Sequence, residues 1–294
     1  MTVGDVLDGA FRGLRATFLP VVLVVVLIIA PFQLLFNQVL TRLLPGADGA
    51  GMFAFDPFAD TVPFPADVGA LLGAGTLLGV LGFLVDLIAG GAVVALVLRA
   101  DRGGTLEVGA ALRSALHRAW TMIAASLLLG LGVLFAFGLV ILLGVLFAFL
   151  DVFGIVLIVL LLVPVGLLLA VVAAGVASLV IPIAIAEDGG PIATLQRALW
   201  VLRVRPGRLI GITLLVGLLL GVATAGLQLP FMLLSFVAGA YGWILLSVGE
   251  ILTSVVAVPV AAFAALLVYL DARIRFEGYD LEIRARGLGP SSSS

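Results

Sequence analysis

The basic residues of this 294-residue chain number 15, every one of them arginine, and all but Arg42 fall in four short clusters that punctuate long apolar tracts. The clusters are Arg12 and Arg15; Arg99, Arg102, Arg113 and Arg118; Arg197, Arg203, Arg205 and Arg208; and Arg273, Arg275, Arg284 and Arg286. Cytoplasmic loops of membrane proteins collect arginine, so clusters that share one side of a bilayer are separated by an even number of crossings. Each crossing takes about 20 apolar residues. Two helices between successive clusters give six spans. The expectation is an all-α polytopic protein of the plasma (inner) membrane with both termini in the cytoplasm.

Composition agrees with that class. Hydrophobic residues make up 63% of the chain and charged ones 11%, against about 45–50% and 25% in soluble proteins. The net charge of -2 conceals a segregation by position, because Asp48, Asp56, Asp60 and Asp67 share one loop, opposite the arginine clusters. With no Cys there is no disulfide and no thiolate site, and the single His117 excludes a histidine-based metal cluster. The apolar run that begins at Pro20 resumes at Pro31 and continues to Leu44. That exceeds the roughly 7–15 residues of a cleaved signal core and reads as a retained first span.

The expected spans cover about 19–40, 68–98, 120–149, 155–186, 207–235 and 244–270 of a single domain, 1–286, with 287–294 as a disordered tail. The tract from Trp120 to Ala186 could hold three short crossings, but the clusters on either side demand two long ones, hinged near Phe149 to Gly154. The tract from Gly207 to Leu270 divides the same way around Ala238 to Trp243. Helices of this length exceed the hydrocarbon thickness, so they tilt or extend beyond it.

Each pair of spans is introduced by a similar segment. Ala10-Phe11-Arg12-Gly13-Leu14-Arg15, Leu112-Arg113-Ser114-Ala115-Leu116-His117 and Leu195-Gln196-Arg197-Ala198-Leu199-Trp200 align on a small residue followed by Leu, which suggests a threefold internal repeat. On a helical wheel Asp5, Asp8, Arg12 and Arg15 oppose Leu7, Ala10, Phe11, Leu14 and Phe18. In the second segment Glu107, Arg113, Ser114, His117 and Arg118 oppose Val108, Leu112, Leu116 and Trp120. Both patterns predict amphipathic helices lying in the interface ahead of the span that follows. The third is less regular, and Pro206 separates it from span five.

Chemistry is sparse. There is no nucleophile elbow, no phosphate-cradling loop before a helix and no His/Glu pair at metal spacing, so neither an enzyme nor a cofactor is expected. Two intramembrane carboxylates remain as candidates. Asp86, near the middle of span two, carries an insertion cost of roughly 2.5–3.5 kcal/mol if ionised. It is either a relay or substrate contact, or a neutral acid bonded to a neighbouring helix, or a residue that meets water where the span breaks at Gly90-Gly91. Glu250 lies closer to the far interface and could snorkel there. The spacings Gly75/Gly79 and Gly217/Gly221 match a helix-approach motif, and Pro182 and Pro259 predict kinks.

The chain closes span six with a run from Tyr269 through Asp271, Arg273, Arg275 and Glu277 to Glu282, and it opens with Gly4-Asp5-Val6-Leu7-Asp8-Gly9-Ala10-Phe11. These ends, with the six-span layout, resemble the membrane domain of some glycerophosphoryl diester phosphodiesterases and their free-standing bacterial relatives. The resemblance implies an all-helical inner-membrane fold without phosphodiesterase activity, since no stretch here supplies the soluble catalytic barrel. Read physically, Asp271 with Arg275 and Arg273 with Glu277 stand at ion-pair spacing along a helix leaving the membrane. That strip can anchor the helix or dock anionic lipid headgroups, each Arg contributing about 1 kcal/mol. Membrane lipids are thus the expected partners, with room for a membrane-protein partner and none for nucleic acid. The sequence favours a scaffold or accessory subunit, and the alternative is a small transporter or lipid-handling protein using Asp86 and Glu250.

Overall fold

A computed structural model describes residues 17–43, 68–101, 107–149, 151–204 and 206–277. The amphipathic segment before span one, the acidic loop and the 287–294 tail lie outside the described residues.

In hydrocarbon a backbone must satisfy its own N–H and C=O groups, so the apolar tracts become long helices. These are α1 (Phe18–Leu43), α2 (Val68–Asp101) and α3 (Val108–Ala148). A short α4 (Asp151–Leu157) leads through a π turn (Ile158–Leu162) into α5 (Val163–Ala186). Then come α6 (Pro191–Val204), α7 (Pro206–Ala238), a 3₁₀ turn (Gly239–Tyr241) and α8 (Gly242–Glu277). Among the described residues six helices are long and apolar enough to cross a membrane, within 18–42, 73–100, 108–148, 153–186, 209–238 and 242–275. The chain is an all-α, multi-pass membrane protein.

Breaks fall where the covalent chemistry puts them. Pro191 and Pro206 begin α6 and α7, the position at which a missing N–H costs nothing. Pro164 follows the π turn, whose wider loop relieves the clash of the proline ring with the carbonyl four residues earlier. The α7 to α8 reversal passes through Gly239 at φ +53°, a left-handed conformation natural to glycine. By contrast, Gly90 and Gly91 do not break α2, which runs through them unbroken.

Packing follows a threefold pattern. The second helices of the three pairs, α2, α5 and α8, touch one another at the centre. Each first helix lies in a groove between its own partner and the inner helix before it: α1 between α2 and α8, α3 between α5 and α2, α7 between α8 and α5. The three introducing segments are not equivalent, however. The second is the first turns of α3 itself, because no Pro or Gly interrupts the helix between Leu112 and Trp120. On its apolar face Leu116 and Trp120 are 53% and 74% exposed, away from the helix contacts, while Ala111 and Ala115 are fully buried in the contact with α2. Small side chains won that contact because they let α3 approach α2 closely.

The same rule selects the glycines. Nothing lies near a Cβ built on Gly75, Gly79, Gly217 or Gly221, so the spaced pairs are not helix contacts among the described residues. The close approaches between helices are at Gly82, Gly90, Gly91 and Gly249. A Cβ on Gly249 would stand 2.8 Å from Phe231 Cβ and 2.8 Å from Gln228 Oε1, forcing α7 and α8 apart. Gly249→Val is therefore expected to cost about 1–3 kcal/mol, whereas Gly217→Val should be nearly silent. Thermal unfolding in detergent checks the pair, and equal effects would remove the close approach as their cause.

The two largest buried clusters lie in one half of the bundle. Val21, Val24, Val25 and Ile29 of α1 meet Ala89, Val93 and Leu96 of α2, Ala111 and Ala115 of α3, and Phe263 of α8. A second cluster joins Val176, Leu179 and Ile183 of α5 to Ala198 of α6, Leu209 of α7, and Leu266 and Tyr269 of α8. Both clusters adjoin the end where the described arginines gather. Beyond Ala125, α3 has no buried side chain, although it keeps contact with α4, the π turn and α5. Clefts open where that packing ends.

Candidate functional site

Asp86 stands on α2 midway along its span, 73–100, about 20 Å from either end at 1.5 Å per residue. It marks the level at which the core gives way to clefts. Its side chain is exposed, and among the described residues no hydrogen bond or ion pair engages its carboxyl. Two clefts meet at it. One, of about 410 Å³ between α2, α5, α7 and α8, is lined by Ala177, Ser178, Thr253 and Ser254 among apolar side chains. The other, of about 470 Å³ between α2, α3 and α5, is lined by Phe83, Ser126, Gly130, Val133 and Ala173. Ala177 and Ile181 border both. Both clefts are apolar chambers with a few hydroxyls and one carboxyl.

Glu250 is half-buried on α8 and does not snorkel freely. Asn37 Nδ2 of α1 donates to Glu250 Oε2 at 2.7 Å and to Ser247 Oγ at 3.2 Å. Ser247 is fully buried and donates in turn to the carbonyl of Trp243 at 2.8 Å. A third cleft, of about 450 Å³ between α1, α7 and α8, opens beside Glu250 with Gln33, Thr224, Gln228, Thr253 and Ser254 on its walls. Thr253 and Ser254 thus line both the Glu250 cleft and one of the Asp86 clefts. The two acids occupy adjoining compartments rather than a common site. Asn37, Gln33, Gln228 and Thr253 escape a search for acids and catalytic triads. Their signal was the spacing itself: Gln33 with Asn37, and Ser247, Glu250 and Ser254, recur at helical intervals inside apolar spans.

At the basic end a polar clasp closes the bundle. Glu187, just after α5, accepts from Tyr269 Oη of α8 at 2.5 Å and from Arg197 Nε of α6 at 3.1 Å. Arg118 of α3 pairs with Asp188, Arg99 Nη2 of α2 donates to Ser114 Oγ of α3 at 3.0 Å, and Arg273 lies 6.0 Å from the Tyr269 ring centroid. In the C-terminal strip Arg275 Nε binds Asp271 Oδ1 at 2.9 Å, one of the two pairs its spacing allows. The side chain of Glu277 is outside the described residues. Asp151 opens α4 in the turn between spans three and four. Among the described residues no group of three metal-ligating side chains converges.

No protein-family model matches this chain, and no curated protein or solved structure is similar to it. The likeness of its two ends to the phosphodiesterase membrane domain rests on those residues alone.

Proposed function

We propose that the chain binds an amphiphile within the membrane and works as a small transporter or lipid-handling protein, without enzymatic chemistry of its own. One observation carries this reading. Asp86 sits at mid-membrane depth, faces two clefts and has no partner in the described protein. A structural acid would be bonded to a neighbouring helix, and a solvated one would lie at a broken span; α2 is unbroken and the carboxyl is unengaged. A carboxyl placed there at a cost of a few kcal/mol is explained by what enters the cleft. Apolar walls with one acid suit an acyl or isoprenoid body with a cationic or hydrogen-bond-donating head. A pure scaffold has no use for such chambers.

The rest of the reading follows from charge. The arginine clusters support an orientation with the basic end in the cytoplasm and an address in the plasma membrane, where the strip Asp271, Arg273, Arg275 and Glu277 would meet anionic headgroups.

Mass spectrometry of lipids retained by the protein purified from native membrane tests the proposal. Ala177→Trp fills the shared wall of both Asp86 clefts from an exposed position, and Asp86→Leu removes the polar contact. Either change is expected to lower a specific retained amphiphile about tenfold or more, the value of a charged hydrogen bond, in protein that remains monodisperse. The same lipid complement in parent and both variants would refute the amphiphile site.

A further inference from the structure

The Glu250 cleft is chemically unlike its neighbours. Six side chains on its walls are polar: Gln33, Thr224, Gln228, Glu250, Thr253 and Ser254. Each can present oxygen, from an amide, a hydroxyl or a carboxylate, and no basic side chain lines the cleft. Glu250 is its one formal charge. The carboxyl is held in place by a hydrogen bond and not by an ion pair, because Asn37, its donor, is an uncharged amide itself fixed by buried Ser247. Gln228 is fixed as well. Its Oε1 accepts from Thr253 Oγ1 at 3.4 Å and packs against the α8 backbone in the space that a Cβ on Gly249 would occupy.

We infer that this cleft is a binding site for a monovalent alkali cation, for which sodium serves as the probe. Hard cations take oxygen ligands, and the carboxylate, amide and hydroxyl oxygens here are of that kind. One negative charge balances one positive charge. A divalent ion would call for further carboxylates, and the described residues bring no others to this cleft. Glu250 is eight residues into its span, about 12 Å from the end opposite the arginine clusters. The cation would therefore sit partway into the membrane, against Thr253 and Ser254, which also wall one Asp86 cleft. That shared wall suits a coupling ion beside a transported amphiphile. The cation site nevertheless stands on its own lining, and its test does not involve the amphiphile.

The experiment is thermal unfolding of the whole protein in lipid nanodiscs, with NaCl exchanged for choline chloride at constant ionic strength. Binding to the folded state alone raises the midpoint as the logarithm of sodium concentration above the dissociation constant. A rise of a few degrees across a hundredfold excess is expected, with none in choline. Glu250→Gln keeps an oxygen for Asn37 and should abolish the sodium dependence, while Asp86→Asn should retain it. Should Glu250→Gln not fold, Thr224→Val and Ser254→Ala each remove one oxygen and should move the response to higher sodium. Equal midpoints in sodium and choline would overturn the site, as would a sodium response that survives Glu250→Gln. A midpoint that follows pH and ignores sodium would overturn it too, leaving an acid that binds protons only. Loss of retained lipid in the Asp86 and Ala177 variants is a separate measurement, so either proposal can fail without the other.

Discussion

Tyr269→Ala is expected to be the most damaging single truncation in the described structure, costing about 3–5 kcal/mol. Tyr269 is fully buried, and its ring touches the cluster that joins α2, α5, α6, α7 and α8. Removing it opens a cavity at the point where five helices meet, and the Glu187 carboxyl loses a donor. In a chain of this size such a loss lowers the unfolding midpoint by on the order of 10 °C. Tyr269→Phe keeps the packing and loses only the 2.5 Å bond to Glu187, so about 1–3 kcal/mol is expected. Glu187→Gln leaves an acceptor for the phenol and weakens the pair with Arg197. Because the three side chains share one carboxylate, Tyr269→Phe and Glu187→Gln should combine to less than the sum of their separate effects. Additive losses in detergent unfolding would mean that the clasp is not a unit.

A second large effect concerns orientation. The chain has no Cys, so a single introduced thiol reports without background. Tyr241, 71% exposed, lies in the turn between α7 and α8; Gly190, also exposed, lies at the opposite end, just before α6. Cys at Tyr241 should react fully with a membrane-impermeant maleimide added to intact cells, and Cys at Gly190 should react only after permeabilisation. The motive is the bias of Arg99, Arg113, Arg118, Arg197, Arg203, Arg273 and Arg275 to one end, against Arg42 alone among the described residues at the other. The reverse pattern would place the basic end outside and remove the proposed contact with cytoplasmic anionic lipid. Labelling of both sites in intact cells would argue that one of the six apolar helices does not cross.

The number of long apolar spans, the positions of their turns and the gathering of most arginines at one end were legible in the chain before any contact was known. Those properties are local: the length of an apolar run, a proline at a helix start, a glycine at Gly239 that can take positive φ, a charge outside the hydrocarbon. The Phe149 and Ala238 turns were legible for that reason, and Asp86 and Glu250 could be singled out because any ionisable residue inside such a run stands apart. Which faces meet was settled by the packing of the helices and not by their patterns. In a soluble helix the apolar stripe points to the core, but here lipid and core are equally apolar, so α2, α5 and α7 look alike all round and the pattern carries no direction. Hence it took the structure to show that α3 packs through Ala111 and Ala115, and that close approach falls at Gly82, Gly90, Gly91 and Gly249 rather than at the spaced glycine pairs. Contacts between distant parts of the chain were beyond reach for the same reason. Asn37 and Glu250 lie 213 residues apart, and Glu187 and Tyr269 lie 82 apart. Whether Asp86 had a partner depended on which side chains α5 and α8 brought beside it, and they brought Ala177, Thr253 and Ser254 to the walls of a cleft without engaging the acid.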